Sequence, residues 1–437
     1  MKVLVVGTGA RENVICESLK DDCELYSYMS NKNPGIAKIS TFKQGDEGDI
    51  KSVAEYAVNN NIEIAVIGPE GPLGKGIVDE LEKNGIKCVG PNMEVAKIET
   101  DKSFMRNLFE KYNIEGSLIY KVFDNYEDIE NFLDNFKKDV VIKPVGLTGG
   151  KGVKIVGEHL KDNNEAKEYA KKVMDTKMGG FPQVIIEERL IGEEFTLQAF
   201  SDGKNLAPMP AAQDHPCAFE GGGGPITGGM GSYSDANGLL PFLSQEEYDK
   251  AVEIMEKTIT SIAKEAKPYK GILYGQFMLT SSGPRLIEYN ARFGDPEAMN
   301  VLPLMKTPMI EVCKAIIDGT LDTLEFEEKA SVCKYIVPDG YPETIYGDEI
   351  LEIDEDKINS IGAKIFYAAV NQKEDDKVYT TSSRALGIVG IADTIEESEA
   401  IAEKACEYAK GNLYHRRDIG TKELIQKRID HMKKIRG

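Results

Sequence analysis

The opening residues, MKVLVVGTGARE, constrain this chain more than any other stretch: an apolar strand over 3–6 runs straight into a glycine turn and then a helix. The unit recurs. Short apolar strands at 24–29, 64–67 and 87–89 alternate with helical stretches to about residue 98, the pattern of a parallel sheet covered by helices. A Rossmann-like α/β domain is expected. Gly7, Gly9 and Arg11 stand at its first strand-to-helix junction, where glycines permit a tight turn and the free N–H groups of the helix start suit an anion. A dinucleotide loop needs a third glycine and an acidic residue closing the second strand; this chain has Glu12, and Met29 and Ser30, at those places. A nicotinamide cofactor is disfavoured, leaving phosphate on a small substrate or a purely structural turn. Gly68, Pro69, Glu70 and Gly71 follow another strand at the same carboxyl edge, where open sheets bind ligands.

After Asp101 the pattern changes to a helical run to about 112, strands at 140–143 and 153–156, a helix over 163–174 and a strand at 183–187. That order suits antiparallel pairing. A polar, glycine-rich stretch at 213–238 is too long for an ordinary connection and is expected to be functional or disordered. Val252, Met255, Ile259 and Ile262 mark one helix face, strands follow at 272–280 and 284–290, and a compact tail from about 325 ends in a helix with Leu424, Ile429, Met432 and Ile435 on one side. A length of 437 residues fits about three domains.

The balance of 53 Lys and Arg against 73 Asp and Glu, a formal net charge of −20, has the wrong sign for broad nucleic-acid binding. An anionic substrate must therefore meet a local cationic site. The N-terminus lacks the features of a signal peptide, and no stretch approaches the ~20 apolar residues of a membrane span. Seven scattered cysteines, none in C-x-x-C spacing, argue against a disulfide framework or a zinc site. A reducing, cytoplasmic setting is expected, without membrane or nucleic-acid partners.

Three further segments carry chemistry. VIKPVGLTGGKGV (141–153) is a strand bearing Lys143, a glycine-rich turn and a second strand, a hairpin whose N–H groups can fold over phosphates. It is not a Walker loop, since Gly152 follows Lys151 and no helix comes next; alone, it also reads as a flexible surface hairpin. VIIEERLIGEEFT (184–196) ends a strand in Glu187 and Glu188, where backbone groups of 188–190 can pair with an adenine edge and a carboxylate can receive ribose hydroxyls. In LIEYNARFGDPE, period-2 alternation puts Ile287 and Tyr289 on one face and Glu288 and Asn290 on the other. Two oxygen donors on one strand face suit a hard cation shared with phosphates, although such a pair also fits a solvated face.

Taken in order, the α/β domain, Lys102, Lys143 with its hairpin, the 187–194 hinge and the 288–290 strand resemble an ATP-grasp ligase. The strings GTGARE, IGPEGPL, IEERLIGEE, AQDH, GPITGGMGSYS, IEYNARFGDPE and HRRDIG are similar to the glycinamide ribonucleotide synthetase (phosphoribosylamine–glycine ligase) family across nearly the whole chain. Pro216, Ile226 and Asn13 depart from the bacterial pattern and resemble the archaeal branch. The resemblance implies a preATP-grasp domain over 1–98, an ATP-grasp domain over 99–324 with an ATP-lid subdomain at 115–190, and a small α+β domain over 325–437. It implies ligation of glycine to 5-phosphoribosylamine with ATP as substrate and Mg²⁺ or Mn²⁺ as cofactor, in a monomer or weak homo-oligomer. By the same resemblance ATP is held by Lys102, Lys143, Thr148, Gly149, Gly150, Lys151, Gly152, Glu187, Glu188, Arg189, Leu190 and Glu194, the last on the ribose. Glu288 and Asn290 hold the metal, with Gln276 a further candidate. Arg292 meets the glycine carboxylate and Asp295 its ammonium, with Lys143 also catalytic. Asp214, Gly228, Gly229 and Met230 close the substrate side, and Gly9, Arg11 and Glu70 face the phosphoribosyl group. Competing readings are another ATP-grasp carboxylate–amine ligase, a nucleotide-dependent oxidoreductase and a non-catalytic nucleotide-binding module.

Overall fold

The computed structural model describes residues 1–148, 152–343 and 347–437. Gly149, Gly150 and Lys151, expected over the phosphates, lie outside the described residues. The N-terminal sheet is five-stranded and parallel, in the order Thr41–Gln44, Glu24–Met29, Lys2–Val6, Ile64–Ile67, Lys87–Val89. The strands at Lys2–Val6 and Ile64–Ile67 are neighbours whose connections leave in opposite directions, so Gly7–Gly9 and Gly68–Glu70 sit together at the switch point. The edge strand Thr41–Gln44, exposed at every residue, has no apolar pattern to announce it.

Tyr120–Phe123, Val184–Glu188, Val140–Pro144 and Lys154–Ile155 form an antiparallel sheet in that order. Helices Tyr126–Asn135 and Asn163–Asp175 cover it and give it a core of its own, with Ile129, Leu133, Ile142, Ala170 and Val184 fully buried. The strand expected at 153–156 shrinks to two residues, and the strand and helix at 120–135 carried no expectation.

A third sheet, antiparallel, runs Leu206–Pro208, Glu193–Asp202, Lys270–Thr280, Gly283–Asn290. Its apolar face (Phe195, Leu197, Phe277, Leu279, Leu286, Tyr289) packs on Met255, Ile259 and Ile262 of helix Gln245–Glu265. The expected alternation over 287–290 is broken. Gln276 pairs with Glu288 but Phe277 pairs with Leu286, so Ile287 is the extra residue of a β-bulge, and Leu286, not Ile287, joins Tyr289 in the core.

The stretch at 213–238 is not the irregular loop expected of it. Gln213–Asp214 pairs with Gly231–Ser234, and Cys217–Phe219 with Gly223–Ile226 as an outer hairpin. Gly231–Ser234 then pairs with Ala330–Pro338, drawing the segment into a sheet completed by Leu386–Ala392, Lys364–Tyr367 and Leu413–Tyr414. Short polar strands of this kind are fixed by their neighbours, so periodicity cannot reveal them. Among the described residues no helix is long and apolar enough to cross a membrane.

Candidate active site

Asp101 caps helix Lys102–Tyr112 by accepting from Ser103 and Phe104 N–H. That start is docked on the hairpin: Lys102 N donates to Val145 O at 3.2 Å, and its Nζ lies 3.4 Å from Gly146 O. One turn on, fully buried Arg106 donates to Glu187 Oε1 (2.8 Å from Nε), while Lys143 Nζ lies 2.7 Å from Glu187 Oε2. Burial opposes the charge on Glu187, but the two cations prevail and hold its carboxyl at about 2. Both oxygens of Glu187 are therefore engaged by Arg106 and Lys143, and the pair fixes the direction of the Lys143 ammonium. Glu188 likewise accepts from Ile119 N–H and Lys138, and Arg189 reaches Glu158 and Val156 O. The N–H groups of Glu188 and Arg189 donate to Ile119 and Asp139 carbonyls, so an adenine edge can use only carbonyls here, or the N–H of Leu190. Thr148 and Gly152 flank residues 149–151; Gly152 O accepts from Tyr169 OH at 2.9 Å.

The upper face of the third sheet is polar. Thr196, Gln276 and Glu288 are aligned across three strands, as are Gln198, Tyr274 and Asn290 in the next row. Gln276 Nε2 donates to Glu194 Oε2 at 2.8 Å, and burial raises the Glu194 carboxyl against that bond. Gln276, Glu288 and Asn290 thus offer only oxygen ligands on one face, a set that fits a hard cation. Among the described residues no three His, Cys, Asp or Glu side chains cluster to hold a metal, so a cation here would draw further oxygens from phosphate. Arg106 also ties this strand to the hinge, donating to the carbonyls of Leu286 and Ile287 at 3.1 and 2.7 Å, where the bulge interrupts the ladder.

Beyond Asn290 lies a second cluster of charged side chains. Arg292 is 3.3 Å from both Glu70 Oε2 and Glu99 Oε1, donates to Asn290 Oδ1 at 3.3 Å and to Phe293 O at 3.2 Å. It holds Glu70 at about 2, with burial opposing, whereas burial dominates at Glu99 and raises it. Glu99, which also accepts from Ala291 N–H at 2.7 Å, was invisible in the sequence because it is one glutamate on an unremarkable helix. Arg11 approaches Phe293 O at 3.3 Å and pairs with Glu12 at 2.6 Å; Glu12 also accepts from Gly9 N–H at 2.6 Å. A Cβ on Gly7 would fall 2.4 Å from Glu12 Cγ, and one on Gly68 2.1 Å from its Oε1. Glu12 thus fills the space that a third glycine would leave open to a pyrophosphate.

Asp295 gives one oxygen to Tyr335 OH and the other to Arg384, 3.1 Å away. Arg384 came from a region given no functional role, and it also donates to the carbonyls of Gly228 and Gly229. The side chain of Met230 is buried, its N–H donates to His215 O and its carbonyl accepts from Tyr335 N–H. Gly229 has φ +104° and a Cβ there would lie 2.6 Å from Asp214 Oδ1, so the loop can pass that carboxyl only as glycine. Asp214 Oδ1 is buried and has no hydrogen-bond partner among the described residues. Burial, then the nearby Glu297, pushes Asp214 well above its usual range; Glu297, itself raised by burial, accepts from Tyr274 OH at 2.8 Å. Of the three departures, Asn13 accepts from Tyr367 N–H at 2.8 Å and Pro216 O from Thr227 Oγ1 at 2.9 Å, both in structural contacts, while Ile226 pairs with Cys217 in the outer hairpin.

Known proteins match the chain over most of its length. Residues 1–99 match the phosphoribosylglycinamide synthetase N domain, 100–298 its ATP-grasp (A) domain and 331–422 its C domain. The chain is 72% identical over 435 residues to the phosphoribosylamine–glycine ligase of Methanobrevibacter smithii and 58% identical over 437 residues to that of Methanosphaera stadtmanae, each alignment covering the full length of both chains. The crystal structure of phosphoribosylamine–glycine ligase from Thermotoga maritima superposes with a TM-score of 0.81 at 27% identity, covering 96% of this chain and all of that one. The archaeal character read from positions 13, 216 and 226 agrees with these relatives, which are mostly archaeal. The chain therefore belongs to the phosphoribosylglycinamide synthetase family of ATP-grasp ligases.

Proposed function

We propose that the contacts running from Lys143 through Glu187, Arg106, the 286–290 strand and Arg292 to Glu70 form the reaction line of an ATP-dependent ligase, with phosphoryl chemistry at one end and the amine acceptor at the other. The reaction joins glycine to 5-phosphoribosylamine, giving glycinamide ribonucleotide, ADP and phosphate, the second step of de novo purine synthesis. The glycine carboxylate attacks the γ-phosphoryl of ATP, and the sugar amine then displaces phosphate from the resulting glycyl phosphate. Catalysis of this kind rests on positioning and charge neutralisation. Lys102, Lys143, Thr148 and Gly152 hold phosphates, together with residues 149–151 of the same sequence motif; Glu194 takes the ribose, and the carbonyls of 188–190 the adenine edge. Glu288, Asn290 and Gln276 would hold Mg²⁺ or Mn²⁺, which neutralises phosphate charge when bound. Arg292 faces the glycine carboxylate and Asp295 its ammonium, beside Asp214 and Gly228–Gly229; Gly9, Arg11 and Glu70 face the phosphoribosyl group.

The single observation that carries this reading is the continuity of that contact line across three sheets. Units of 1–98, 99–324 and 325–437, with 115–190 as the ATP lid, remain our division, the strands at 213–234 being lent to the last sheet. Seven unpaired cysteines suit the cytoplasm and the net charge of −20 suits small-molecule partners alone, in a monomer or weak homo-oligomer. The test is ADP release with ATP, Mg²⁺, glycine and freshly made phosphoribosylamine, each omitted in turn. Release that requires all of them supports the ligase; ATP binding without turnover would point to a nucleotide-binding module.

A further inference from the structure

Arg384 stands between Val378–Thr380 and Leu386–Ala392, far in sequence from every motif of the site. Its Nη1 nevertheless donates to three carbonyls of the substrate side, Gly228 at 2.6 Å, Gly229 at 2.8 Å and Asp295 at 2.9 Å, and its Nη2 lies 3.1 Å from Asp295 Oδ2. The guanidinium lies 4.3 Å from the centroid of the Tyr335 ring, whose hydroxyl donates to the other oxygen of Asp295. Its own backbone is pinned as well, its carbonyl accepting from Ala369 N–H at 3.0 Å. The neighbouring segment is fastened to the N-terminal domain, where Tyr367 N–H donates to Asn13 of the first helix and Asn33, which caps the helix Pro34–Ala37, donates through Nδ2 to Tyr367 O at 2.7 Å.

Arg384 is mostly buried, and four short contacts tie it to two separate loops. Two carbonyls of one loop and a carbonyl plus a carboxylate of another are bridged by one planar fork, a geometry that a lysine ammonium cannot reproduce. We propose that Arg384 is a positioning residue for the glycine half of the reaction: it fixes Asp295 against the Gly228–Gly229 loop, so that the C-terminal segment completes the amino-acid pocket and plays no part in binding ATP. This rests on the ligase reading above and adds a residue that reading does not need.

The test compares wild type, Arg384→Lys and Arg384→Met in steady-state ADP release, varying glycine and ATP separately. A displacement of about 1 Å in a positioned group can cost on the order of 100-fold, so kcat/KM for glycine should fall by roughly that factor in Arg384→Met and by less in Arg384→Lys, with KM for ATP within about twofold of wild type. Should the methionine variant fail to fold, the lysine variant alone must still show the split. Equal losses for glycine and ATP, or unchanged glycine kinetics, would overturn the inference and leave the ligase reading intact. No glycine-dependent ADP release from the wild type would overturn both.

Discussion

Replacing Glu187 with glutamine removes one charge from the only buried carboxylate that bridges Arg106 and Lys143 among the described residues. Its carboxyl is held at about 2, against an ordinary 4.5, a displacement of about 2.5 units. At about 1.36 kcal/mol per unit this amounts to roughly 3 kcal/mol of stabilisation in the ionised state, similar to the ~3–5 kcal/mol expected when one partner of a buried pair is removed. Because the folded value lies below the unfolded one, the stabilisation is complete above about pH 4.5 and drains away as pH falls towards 2. Urea unfolding of wild type and Glu187→Gln, followed at several pH values from 7 to 3.5, should give a difference near 3 kcal/mol at pH 7 that narrows below pH 4.5. ATP binding should weaken in the same variant, since Lys143 loses the partner that aims it. A stability difference under about 1 kcal/mol, or one independent of pH, would refute the reasoning.

Glu288→Gln keeps shape and removes charge, so kcat should drop roughly 100-fold or more while the thermal midpoint stays near wild type; near-normal turnover with an unaltered Mg²⁺ titration would remove Glu288, and with it Asn290, from the metal. Arg292→Lys should raise KM for glycine far more than KM for ATP, because the planar fork facing a carboxylate is lost; equal losses would mark a structural role. Asp214 and Glu297 keep a proton at pH values where ordinary carboxyls have lost it, and only their ionised forms add to the negative field around an ammonium held at Asp295. kcat/KM for glycine should therefore decline as pH falls, starting above the ordinary carboxylate range, and Asp214→Asn should lower the plateau and flatten that limb; an unchanged profile would exclude the pair.

Much of the fold could be read in advance because its strands are apolar and its helices periodic. The strands at 24–29, 64–67 and 87–89 and the helix face of Met255, Ile259 and Ile262 are local signals that tertiary packing leaves alone. The strands at 213–234 follow no such rule: Gln213–Asp214 and Gly231–Ser234 are strands only because Ala330–Pro338 lies beside them. Site residues inside dense motifs were legible for the same reason of locality, yet their orientation was not. Nothing in IEERL says that Glu187 points inward to Arg106 and Lys143. Lys102 and Arg106, four residues apart on one helix face, held a hint of that partner. Arg384 and Glu99 had none, each being a single charged residue whose role arises from contacts across the fold.

The pairing of Gly231–Ser234 with Ala330–Pro338 also sets an order of assembly. A chain made from its N-terminus at ~5–20 residues per second leaves the earlier strand waiting roughly 5 to 20 s for the later one to emerge. During that interval Gly231–Ser234 offers the growing polypeptide an unpaired sheet edge, a template for association with another nascent copy. The parallel N-terminal sheet needs no such late arrival, since its five strands are all made before residue 90. The vulnerable moment in this protein's biogenesis therefore falls late, and chaperone capture, pausing or premature termination around residues 235–330 should decide yield more than any event in the first hundred codons.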